Sequence, residues 1–156
     1  MADRRTELRE EMTTAHDELL TNLDAFDATD WQQTTYEGWT RKDTFAHLAS
    51  IQARQRAQVQ CAVDGTPWNP EDVNTYNARK VEERKAWTTE QVRDEYEREQ
   101  SSTLALLNEL QDPDLDRTFQ HPTRGAVTIE SVFRQVATHT RNHANDIMAA
   151  TQATTP

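Results

Sequence analysis

Residues 128–150 read TIESVFRQVATHTRNHANDIMAA, and this stretch decides the fold. Val132, Phe133, Val136, Thr140 and Ile147 recur one or two helical turns apart, with Ala137 and Ala144 as small contacts between them. A strand would alternate with period two, whereas this pattern follows the 3.6-residue period of a helix with one apolar face. Thr128 supplies an N-cap, since its hydroxyl can accept from an otherwise unpaired first-turn N–H. The spacing predicts a helix over 129–150 and a frayed tail over 151–156. A helix this long cannot bury its apolar face alone, so the chain must hold partners of similar length.

The upstream sequence offers three. Leu8, Met12, Ala15, Leu19, Leu23 and Phe26 draw one stripe across 3–26. A second stripe, Thr44, His47, Leu48, Ile51, Gln55, Val59 and Ala62, follows Thr40 as N-cap and ends near Asp64, before the breaker GTPWNP. A third, Val92, Tyr96, Thr103, Leu106, Leu107 and Leu110, follows a capping-box pattern at Thr88 and Gln91 and stops at Asp112-Pro113. Residues 71–86 read as a shorter helix, and 112–128 as irregular chain with Pro122 and Gly125 as turn formers. The expectation is an all-α fold, a four-helix bundle with one extra short helix and long inter-helix connections, in one domain spanning 1–150. Connections this long do not require an up-down-up-down order.

Charge narrows the function. The chain carries 27 acidic against 17 basic residues, a formal net charge of -10, and only Lys42, Lys80 and Lys85 as lysines. Such a surface repels phosphate backbones and anionic lipid, so nucleic acid and membrane are excluded as partners. The opening MADRRTELREEM lacks the apolar run of a signal peptide, and no stretch has the roughly 20 apolar residues of a membrane span. Cytoplasmic residence is expected. Cys61 is the one cysteine, which rules out an internal disulfide and a thiolate metal cluster. Any metal must rest on histidine and carboxylate.

The last helix carries such residues. His139 and His143 lie four apart, within roughly 40° of one another on one helix face. Both fall on the core-facing stripe, as His47 does in the second helix. A polar group buried without a partner costs about 1–3 kcal/mol, so these imidazoles need partners. Backbone or neighbouring side chains can serve. Equally, three neutral imidazoles on facing helices can hold a divalent ion and leave a position open. His16 and His121 are expected at the surface, and Cys61 as a small buried residue. Trp31, Trp39, Trp68 and Trp87 sit near helix ends, where they plug the bundle.

Two motifs resemble one known family. GWTRKDTFAHLA (38–49) and GAVTIESVFRQVATHTRNHANDI (125–147) resemble the ligand-bearing stretches of the DinB/YfiT-like superfamily of metalloenzymes. The order of helices and loops resembles that family over nearly the whole chain. The resemblance implies a divalent ion (zinc, nickel or iron) held by His47, His139 and His143. Related proteins include mycothiol- or bacillithiol-dependent S-transferases and hydrolases. A metal-dependent transferase or hydrolase of a small molecule is therefore implied, with a low-molecular-weight thiol as a possible second cofactor and a homodimer as the assembly. The alternative is a non-catalytic bundle that sequesters a small ligand or partner, its triad structural or vestigial. Asp43 and Asp146 lie where they could orient imidazoles, Arg54 where it could pair with a substrate carboxylate, and Trp39 and Asn77 where they could line a pocket.

Overall fold

Helix caps explain where the chain is helical. Asp3 accepts from Thr6 N at 2.7 Å and starts α1, Arg4–Leu23. Reciprocal capping boxes form at Asp27/Asp30, Thr40/Asp43 and Thr88/Gln91, and open α2 (Ala28–Trp31), α3 (Arg41–Asp64) and α5 (Thr89–Glu109). Each box satisfies N–H groups that a helix start leaves unpaired. Between α3 and α5 lies the short α4, Val73–Glu83. A 3-10 turn (Asp112–Asp116), the strands β1 (Thr118–His121) and β2 (Gly125–Thr128), and α6 (Ile129–Ala153) complete the order. This computed structural model describes residues 3–35 and 38–153.

The four long helices form the expected bundle, and cross-helix contacts fix its topology. Arg4–Glu130 and Arg134–Glu11 set α1 parallel to α6. Arg5–Leu110 O and Arg93–Asp24 set α1 antiparallel to α5. Arg56–Glu99 and Phe45–Tyr96 set α3 parallel to α5. Arg41–Ile147 O sets α3 antiparallel to α6. The helices thus follow an up-down-down-up course, and α3 packs chiefly between α5 and α6. The parallel α3–α5 step needs a return stroke, which α4 provides by running back along α3.

The core has two apolar ends. One gathers Leu8, Met12, Val59, Leu107, Val132 and Phe133 near the hairpin; the other gathers Leu19, Leu23, Phe45, Leu48, Tyr96 and Ile147. Between them the buried side chains are mostly polar: Gln52, Gln55, Gln100, Thr103 and Thr140, with Ile51 beside them. Thr103 Oγ1 donates to Gln52 Oε1 at 2.7 Å, and Gln100 Nε2 to Met12 O at 3.4 Å.

Three local expectations need correction. The first helix stops at Leu23 rather than Phe26, because Asp27 caps a separate short helix. Residues 118–128 are a β-hairpin, not irregular chain. Its buried pair Phe119↔Val127 faces the core, and Gly125 adopts φ 74° at its turn. The last helix runs on to Ala153, and residues 154–156 of the expected tail lie outside the described residues. No described helix is long and apolar enough to cross a membrane.

Candidate metal centre

The Thr40/Asp43 box fixes the start of α3, so Asp43, His47, Ser50 and Arg54 follow one another along a single face. On α6, one turn separates His139 from His143. Antiparallel packing brings these two faces together, and the three imidazoles meet.

The Nε2 atoms converge. His47 Nε2 lies 3.1 Å from His139 Nε2, and His143 Nε2 lies 3.1 Å from His139 Nε2. The rings stand nearly edge-on, with interplanar angles of 75° to 79°. A neutral imidazole nitrogen carries either one proton or one in-plane lone pair. His139 Nε2 faces two partner nitrogens, so a metal-free triad cannot satisfy both contacts with well-aligned hydrogen bonds. A cation satisfies all three lone pairs at once. Imidazole ligands at about 2.0–2.1 Å place their nitrogens about 2.9 Å apart at right angles and about 3.3 Å apart at the tetrahedral angle. The observed 3.1 Å falls between these values. The residues present therefore fit a divalent ion.

Electrostatics favour the ligating form. Burial, with the neighbouring His139 and His143, holds the His47 pKa down to about 2, and burial with His143 holds His139 at about 4. Both rings are neutral near pH 7, as metal ligation requires. Among the described residues these three form the one cluster of histidine, cysteine and carboxylate groups able to hold an ion.

The surrounding candidates fall differently. Asp146 Oδ2 lies 3.2 Å from His143 Nδ1, inside ion-pair distance but without the alignment of a hydrogen bond. The Trp39 ring stands 5.3 Å from that of His47 and walls one side. Asp43 does not orient His47: its Oδ2 accepts from Thr40 N at 3.1 Å and from Lys85 Nζ at 2.8 Å, and His47 Nδ1 has no hydrogen-bond partner among the described residues. Asn77 is half-buried on α4, its Oδ1 enclosed and without a hydrogen-bond partner among the described residues. Arg54 lies two turns along α3 from His47 and bonds the Glu71 carbonyl at 2.8 Å.

Sequence reasoning missed one positioning residue. Arg41 is fully buried, donates from Nε to Ile147 O at 2.9 Å and covers the Phe26 ring at 4.3 Å. It pins α6 to α3 four residues beyond His143. An arginine at the first position of a helix reads as surface charge, and nothing local marks it otherwise. His16 is also not the surface residue expected: it is half-buried and stacks on Tyr96 at 5.0 Å.

Comparison with known proteins agrees with this architecture. Residues 11–147 match the family model of the DinB superfamily. Among solved structures, YfiT from Bacillus subtilis superposes with a TM-score of 0.81 at 16% identity, covering 96% of this chain and 86% of that one. It is described as a probable metal-dependent hydrolase with an unusual four-helix bundle topology. An uncharacterized protein from Clostridium difficile 630 superposes with a TM-score of 0.76 at 11% identity, covering 99% of each chain. No curated protein matches the sequence.

Proposed function

The chain belongs to the DinB superfamily, and from that premise we propose that it is a metal-dependent enzyme acting on a small molecule. His47, His139 and His143 hold one divalent ion, zinc, nickel or iron. The observation that carries this reading is the convergence of three Nε2 atoms with no fourth ligand among the described residues. Structural zinc sites close with four protein ligands, whereas catalytic ones keep a position for water or substrate. When bound there, the ion supplies a lowered pKa for a coordinated water or thiol.

The chain's own residues do the rest. Burial keeps His47 and His139 unprotonated. Asp146 biases the His143 ring so that Nε2 faces inward. Trp39 shields one flank from solvent. Water as the attacking group makes the enzyme a hydrolase, as YfiT is described to be. A low-molecular-weight thiol makes it an S-transferase. A homodimer acting in the cytoplasm completes the proposal.

Elemental analysis of protein purified without a polyhistidine tag tests it, wild type beside His143→Ala. About one divalent ion per chain in the wild type, lost in the variant, is expected for a folding-coupled site. Absence of metal from both proteins, before and after refolding with zinc, nickel and ferrous salts, would leave the triad as packed core histidines.

A further inference from the structure

A histidine that ligates through Nε2 turns its Nδ1–H away from the ion, and an acceptor there normally fixes the ring. Asp146 stands at that place for His143, 3.2 Å from Nδ1. His47 has no such neighbour. Its Nδ1 is buried without a hydrogen-bond partner among the described residues, and the carboxylate one turn earlier, Asp43, is taken by Thr40 and Lys85. This imidazole is nevertheless only 3% exposed, and it faces the His139 and His143 rings at 4.9 and 4.8 Å. Its rotation must therefore be limited by packing.

The Trp39 indole supplies that packing. Its ring centre lies 5.3 Å from that of His47, with the planes tilted by 46°. Its backbone is held from both sides. Trp39 O accepts from Thr35 N at 2.6 Å and from Thr35 Oγ1 at 2.9 Å, and Thr35 is itself buried. The next residue, Thr40, pairs with Thr34 in an antiparallel bridge and caps α3. Trp31, at the same end of the bundle, packs instead on Phe26 and Phe45, away from the triad.

We propose that Trp39 is a positioning residue of the metal centre: its indole holds the His47 imidazole with Nε2 toward the ion, in place of the acceptor that His47 lacks. The inference rests on the metal-enzyme reading above and adds to it a residue outside the ligand set. Shape is one part of the effect. The other is electronic: an imidazole that gives its lone pair to a divalent cation gains positive character, and an aromatic ring within about 6 Å attracts positive charge. A saturated side chain can fill the space but offers no such attraction. Phenylalanine should therefore serve in place of the indole, and leucine or methionine should not.

The test titrates the full chain with cobalt(II) and reads both the affinity and the visible ligand-field band. Trp39→Leu and Trp39→Met should each weaken cobalt binding roughly tenfold and change the shape of the band, because His47 loses its restraint. Trp39→Phe should stay within about threefold of the wild type. Trp31→Leu removes an indole from the same end of the bundle and should leave affinity and band unchanged, which separates a role at His47 from a general loss of packing. Far-UV circular dichroism verifies the fold of each variant, and either ringless variant that folds decides the question. Ringless variants that bind cobalt as the wild type does, or a Trp31→Leu protein that loses as much affinity as they do, overturn the role of Trp39 and leave the metal reading standing. A wild type that gives no cobalt ligand-field spectrum overturns the metal reading itself, and this inference with it.

Discussion

Acid should destabilise the metal-free protein through its own histidines. His47 and His139 are held near 2 and 4 in the folded chain, against about 6.5 for an unfolded histidine. The folded state thus binds fewer protons than the unfolded one between these limits. Stability is complete above pH ~6.5 and drains away as pH falls toward the folded values. At pH 5 the unfolded form of each residue gains RT ln(1 + 10^1.5), about 2 kcal/mol, by protonation. The folded form gains almost nothing there, since both folded values lie at or below about 4. The two together should remove about 4 kcal/mol between pH 7.5 and pH 5, a large share of the 5–15 kcal/mol typical of a domain. Urea unfolding of chelator-treated protein, followed by circular dichroism, measures the loss. A His47→Gln/His139→Gln variant lacks both groups and provides the reference, since carboxylate titrations cancel in the difference. A wild type that loses no more stability than this variant, within about 1 kcal/mol, would refute the reasoning, because the imidazoles would then be able to charge in place.

Other outcomes follow from the same structure. Asp146→Asn should weaken zinc binding by up to about tenfold without abolishing it, read by competition with a chromophoric chelator, since it removes the charge 3.2 Å from His143 Nδ1 rather than a ligand. Glu95→Ala should cost about 1–3 kcal/mol in denaturant unfolding, because it removes the carboxylate that accepts from the buried Arg84 Nε at 2.7 Å, while Glu83 Oε2 stays 3.4 Å from Nη1. Gly65→Ala should cost about 1 kcal/mol: φ is 70° at the end of α3, and an added Cβ meets nothing within 4 Å, so the cost is conformational and not steric. Thr88→Ala should remove about 1 kcal/mol, the value of a helix N-cap, measured in the same way.

Much of this was legible in the sequence because it is local. Periodicity marked the four long helices. Side chains three residues apart marked the caps at Thr40 and Thr88, which formed as written. The His139/His143 pair is a consequence of helical pitch, and Trp39 precedes the helix that carries His47. The parts that were not legible depend on distant contacts. The hairpin is stabilised by Phe119 and Val127 meeting the bundle core, and a four-residue strand has too short a pattern to announce this. Asp43 looked free to orient His47, but Lys85, 42 residues away, takes its carboxylate. The burial of Arg41 requires Ile147 from the opposite end of the chain. The up-down-down-up course likewise follows from pairings that no local pattern encodes.

The 92-residue separation of His47 and His139 sets a schedule for the growing chain. A ribosome releases α3 well before α6, at about 5–20 residues per second. For roughly 5–20 s, then, the first imidazole waits in a nascent chain whose other two have not been made. Over the same interval α1, which runs parallel to α6 and packs on it, lacks its main neighbour. Bundle closure and site assembly are one event, timed to the synthesis of α6, so a chain terminated prematurely anywhere before residue 139 forfeits both together.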